Sequence, residues 1–171
     1  MASVFTSNKV LEQPANGDYN DTWEIPVNRD WTFVDAALGG ETTLTATGSS
    51  TITLSQSTGT TLGSQSYVPM FIKIVGAMSN DLDVVIPSGV GGTWVVRNQT
   101  TDATGGPWAV TFSYAGGGTT VEVERDKAET ICCDPNAGTG MGIYKPSAVP
   151  SDDSVSTAKI QDGAVTYAKI N

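Results

Sequence analysis

Four oxygen-bearing side chains crowd the stretch GDYNDTWE: Asp18, Asn20, Asp21 and Glu24. Carboxylate and amide oxygens so placed are donors of the kind that hold Ca²⁺, but the stretch lacks the spacing and the glycine of an EF-hand loop. Turn-forming Asx residues account for it equally well, and no metal is expected. Paired carboxylates can also cleave glycosidic bonds. Asp18, Asp21 and Glu24 fall in an irregular lead-in, and Asp81 and Asp83 are read as turn residues, so all five are expected to be solvated. The chain has no histidine, which removes Ser-His-Asp and Cys-His catalysis and nearly all zinc designs. No G-x-S-x-G, P-loop or dinucleotide fingerprint occurs, and the glycines at 116–118 read as a turn. The expectation is a protein that is not an enzyme and carries no cofactor.

Cys132 and Cys133 are the only cysteines. Neighbours on a strand point to opposite faces, so one buried and one outward thiol are expected, without a disulfide. Four tryptophans, Trp23, Trp31, Trp94 and Trp108, could stack on sugars. Trp94 and Trp108 share strand faces with other large apolar residues and read as core. Trp23 and Trp31 lie in the lead-in and are expected to pack it onto the sheets or onto a neighbouring subunit.

The elements that hold these residues follow from periodicity. Residues 1–30 read as a mostly extended lead-in, with turn residues at QPANGDYNDT and EIPVN. In NRDWTFVDAALGG, Asp30 is a plausible N-cap, and Phe33, Ala37 and Leu38 have helical spacing. Gly39 and Gly40 stop the run, so a helix of about two turns is expected. From Glu41 the period becomes two. Leu44 and Ala46, then Ile52 and Leu54, alternate with Thr and Ser. In PWAVTFSY, Trp108, Val110, Phe112 and Tyr114 share one face. TTVEVER puts Val121 and Val123 inward and Glu122 and Glu124 in water, after a glycine-rich hairpin connection. YVPMFIKIVG reads as a central strand, and DLDVVIP, GTWVVRN, ETICC and GMGIYK add more, about nine in all. The spacing points to a mainly β protein built as an antiparallel, jelly-roll-like β-sandwich. The domain reading is a lead-in with a short helix at 1–40, the sandwich at 41–145, a Pro- and Asp-containing linker at 146–153 and a terminal repeat at 154–171.

Composition supports short strands and glycine turns: 39% of the 171 residues are hydrophobic and only 16% charged. Nine basic residues against eighteen acidic ones leave a net charge of −9, which disfavours nucleic acid as a partner. The start MASVFTSNKV lacks the charged and apolar regions of a secretory signal. No apolar run approaches the roughly 20 residues that span a bilayer, so membrane insertion is not expected.

SVSTAKIQDGAVTYAKIN, residues 154–171, is nearly one phrase written twice. An offset of ten places Val165 on Val155, Ala168 on Ala158, Lys169 on Lys159 and Ile170 on Ile160. Each unit offers one Val, one Ala and one Ile for burial in the shared pattern, too little to offset an ordering entropy of roughly 1–2 kcal/mol per residue. Those residues must therefore be buried by something outside the repeat, and identical units favour equivalent chains about a symmetry axis. Val155, Ala158, Ile160, Val165, Ala168 and Ile170 are the expected oligomerisation residues, with the two lysines in water.

VSTAKIQDGAVTYAKI resembles the V-x-x-A-K-hydrophobic-x-x-G-x-V shaft repeats of bacteriophage tail-fibre proteins. LEQPANGDYNDTWEIPVNRDWTFVDAALGG, residues 11–40, resembles lead-in segments of fibre-like virion proteins of tailed phages. The resemblance implies a structural virion protein, assembled in the host cytoplasm: a homotrimeric tail fibre or its virion-proximal part, acting in assembly and host attachment. Its partners would be two sister chains, other virion structural proteins and, at the cell, a host surface glycan. Two rivals are a trimeric capsid decoration protein and a carbohydrate-binding adhesin module.

Overall fold

An alternating strand declares which of its faces is buried but not which way its neighbour runs, and the chain uses both directions. The computed structural model describes residues 4–5, 12–13, 21–46, 48, 50–55, 62–135 and 142–146. It is mainly β, with one helix and mixed sheets. In chain order come β1 (Val4–Phe5), β2 (Glu12–Gln13), α1 (Glu24–Gly39), β3 (Glu41–Thr45), β4 (Thr51–Thr53), β5 (Phe71–Met78) and β6 (Leu82–Ile86). They are followed by β7 (Gly92–Asp102), β8 (Val110–Tyr114), β9 (Val121–Glu122), β10 (Ala128–Cys133) and β11 (Ile143–Tyr144). The short β1 and β2 pair with each other. The remaining nine strands form a five-stranded sheet, β11-β10-β7-β5-β3, and a four-stranded sheet, β4-β6-β8-β9.

From β3 to β8 the chain changes sheet with every strand. Consequently β3, β5 and β7 lie side by side and parallel, as do β4, β6 and β8. Glu41 faces Phe71, which faces Val95; Ile52 faces Val84, which faces Phe112. Three successive coils are stacked in this way. Parallel neighbours need a long crossover, and here a strand of the other sheet supplies it. Antiparallel pairing is confined to β8–β9, β7–β10, β10–β11 and the small β1–β2 pair. The expected antiparallel, jelly-roll-like topology is therefore corrected. The short connection at 79–81 turns a corner between the sheets.

Both sheets contribute to one apolar cluster. Leu44, Ile72, Ile74, Trp94, Val96 and Ile131 enter it from the larger sheet. Ile52, Val84, Ile86, Val110, Phe112 and Val121 enter from the smaller. Burial alternates with a period of two along β3, β4 and β6, as side chains on a pleated strand must. At the open end of the β3–β5 pair, Gly76 has φ +113, and a Cβ there would stand 2.7 Å from the Ala46 carbonyl oxygen. That close approach demands glycine. Asn98 is the main polar group of the interior, at 2% exposure. Its Nδ2 donates to the Val123 carbonyl at 2.8 Å, and its Oδ1 accepts from the Thr100 N–H and hydroxyl. It fastens the end of the smaller sheet to β7.

The helix is twice the expected length. It begins at Glu24, so Asp30 lies inside it rather than at its N-cap. Pro26 falls in the first turn, where the missing N–H has no helical acceptor and costs nothing. At the other end Gly40 donates its N–H to the Ala36 carbonyl at 2.9 Å. The same carbonyl receives the Met70 N–H, and the Gly40 carbonyl receives that of Phe71, which ties the helix end to the start of β5.

Candidate interaction surface

An amphipathic helix normally buries one stripe and gives water the rest. Helix α1 has two apolar faces. Pro26, Phe33 and Ala36 are buried, and the last two belong to the core cluster. Around the helix, in an arc of roughly 80° at 100° per residue, stand Trp23, Val27, Trp31, Val34 and Leu38. Trp23 and Trp31 are each 66% exposed and Leu38 is 72% exposed. Val27, Asp30, Trp31 and Val34 line a shallow depression on this face. Burial holds the Asp30 carboxyl above the usual carboxylate range, partly offset by the neighbouring Arg29 charge.

The two lead-in tryptophans are thus not packed on the sheets: the helix turns them away from the body. Trp94 is core, with its indole N–H donating to the Tyr67 carbonyl at 2.8 Å. Trp108 is half-buried just before β8 and donates to the Thr104 carbonyl. Val27 and Val34 escaped the sequence reading, although their spacing from Trp31 and Leu38 is visible once the helix is started at Glu24.

The acidic residues form no comparable site. Asp21 is exposed in a left-handed turn with φ +65, and Glu24 opens the helix. Asp18 and Asn20 lie outside the described residues. Asp81 accepts the Ala109 N–H at 2.8 Å and secures the corner between sheets. Asp83 is not a turn residue: it stands in β6, half-buried, and accepts the Ser113 hydroxyl at 2.8 Å. No cluster of three or more His, Cys, Asp or Glu that could hold a metal occurs among the described residues. Cys133 is buried and Cys132 half-exposed, on opposite faces of β10. Burial, with help from Asp134, pushes the Cys133 thiol up to about 11, which makes it a poor nucleophile. Val155, Ala158, Ile160, Val165, Ala168 and Ile170, expected to join chains, all lie outside the described residues. Among those that are described, no helix is long and apolar enough to cross a membrane.

No family model, no curated protein and no solved structure matches this chain.

Proposed function

We propose that the chain is a structural virion protein of a tailed phage: a homotrimeric fibre or its virion-proximal part, acting in assembly and host attachment. In this reading the two sheets pack as a sandwich that forms the body, and the terminal repeat joins three chains. One observation carries it. Residues 154–171 repeat Val, Ala, Lys and Ile at an offset of ten, with too little apolar surface to order one chain by itself. The virion is the place where such a chain works, and the protein needs no cofactor there.

The test is the double variant Ile160→Asp, Ile170→Asp in the full chain, followed by sedimentation velocity and circular dichroism. Placing two charges per chain on the axis should weaken association about a hundredfold or more while the β spectrum is kept. Association unchanged from wild type would remove the repeat from the assembly, and with it this reading. Wild type that binds immobilised host glycans as a monomer, and stops doing so in Trp23→Ala or Trp31→Ala, would establish the adhesin instead.

A further inference from the structure

The outward face of α1 has the spacing of a helix–helix seam. Val27, Trp31, Val34 and Leu38 are separated by four, three and four residues, so that Val27 repeats in Val34 and Trp31 in Leu38 seven positions on. A seven-residue repeat of two apolar positions lets one helix run beside another with the same residues in contact throughout. The depression on this face has the matching shape. Its lining residues, Val27, Asp30, Trp31 and Val34, stand at i, i+3, i+4 and i+7, the diamond of four side chains that receives a knob from a facing helix. In a parallel pair the side chain that reaches such a hole is the equivalent of Trp31 itself. The spacing of the stripe therefore suits a parallel copy of itself.

Area points the same way. At exposures of 66% for Trp31, 72% for Leu38 and 37% for Val27, the stripe presents roughly 350 Å² of apolar surface, and Trp23 at its N-terminal end, also 66% exposed, extends the patch to roughly 500 Å². That is the size of the largest patch on a typical monomer, and such patches are often functional. Covering the patch on two facing chains would bury roughly 1,000 Å² of apolar surface in all, about the total at which a specific interface begins. Facing copies of a helix in a bundle would cover it completely.

We propose that α1 is an inter-chain seam, in which the Val27–Leu38 stripe packs in parallel and in register against the same stripe of other copies of this chain. The number of copies, three, rests on the fibre reading; the seam itself does not. Parallel helices would bring the bodies together at one end, with every chain pointing the same way.

Single cysteines test direction and register together, in a full chain carrying Cys132→Ser to remove the half-exposed native thiol. Under mild oxidation Val27→Cys and Leu38→Cys should each link chains into covalent dimers, because equivalent positions meet across a parallel seam. Thr32→Cys, on the polar side, should not. An antiparallel seam would link neither Val27→Cys nor Leu38→Cys with itself, and that result overturns the proposal. Separately, Trp31→Asp with Leu38→Asp should weaken self-association about thirtyfold or more, with an unchanged β spectrum because both side chains are exposed. Sedimentation like that of wild type, or a wild type that is monomeric, would also overturn it. Repeating the Leu38→Cys link with Ile160→Asp and Ile170→Asp separates the two ideas. A link that persists there, at concentrations where wild type associates, belongs to the helix; loss of association in the repeat variant alone bears on the fibre reading only.

Discussion

The interior of the sheets and the outside of α1 are both lined with large apolar residues, and they differ in what covers them. Every inward side chain from Leu44 to Ile143 that the sheets contribute has a partner within the chain; Phe112, Ile74 and Ile131 are at 0% exposure. Trp31 and Leu38 find no such cover among the described residues and remain 66% and 72% exposed. The same chemistry thus has two destinations. Apolar surface satisfied within the chain gives stability to the fold, while apolar surface left over gives affinity for something else. The sharpest way to break the comparison is Phe112→Ala. Its ring sits between Val84 of β6 and Val121 of β9 in the smaller sheet, and its loss should cost about 3–5 kcal/mol. Denaturant unfolding checks this. A cost near that of an exposed residue would mean that the two faces are not different in kind.

That division was only half legible in the sequence. Val110 with Phe112, and Val121 with Val123, were readable as inward because a period of two marks the buried face whatever the partner. Direction was not readable, because a parallel and an antiparallel strand carry the same alternation. It took the pairing of Glu41 with Phe71, two strands on, to show the coils. EIPVN reads as turn residues in sequence, yet a proline in the first turn is compatible with a helix. With the start placed near Asp30, Trp23 and Val27 fell outside it, and the seven-residue spacing could not be seen. Trp31 stands out in sequence for its chemistry, but its direction is a property of the helix and not of the residue.

A smaller effect should follow from the polar group within the sheets. Asn98 is buried and stands in register with Ile74 on β5. In Asn98→Ala the Val123 carbonyl loses its side-chain donor, and the Thr100 N–H and hydroxyl lose their acceptor. Buried groups left unpaired cost about 1–3 kcal/mol, so the variant should unfold at lower denaturant with the same two-sheet spectrum. A change below about 0.5 kcal/mol, the scatter of surface substitutions, would mean that water replaces the amide and that this corner of the interior is open.

The smallest effect belongs to a pair on the surface of the body, and it sharpens the comparison from the polar side. Arg125 grips Asp102 with both terminal guanidinium nitrogens, at 2.7 and 2.5 Å. The bond from Arg125 is the main reason that the Asp102 carboxyl is held below the usual carboxylate range; the Trp108 N–H adds to it, and partial desolvation opposes it. A depressed carboxylate stabilises the fold above its unfolded pKa, and that contribution disappears as pH falls through the folded value. Asp102→Asn removes the charge and keeps an acceptor for Trp108. The difference in stability between wild type and variant should therefore be small and flat at neutral pH, because exposed pairs contribute little. Below about pH 4 it should shrink towards zero, and raising salt at neutral pH should shrink it as well. Thermal melts across pH at two ionic strengths read both trends. A difference that stays constant down to about pH 2, below the range of ordinary carboxylates, would show that Asp102 acts through the fit of its contacts with Arg125 and Trp108 rather than through its charge. The surface of the body would then hold the fold by fitted contacts, as its interior does.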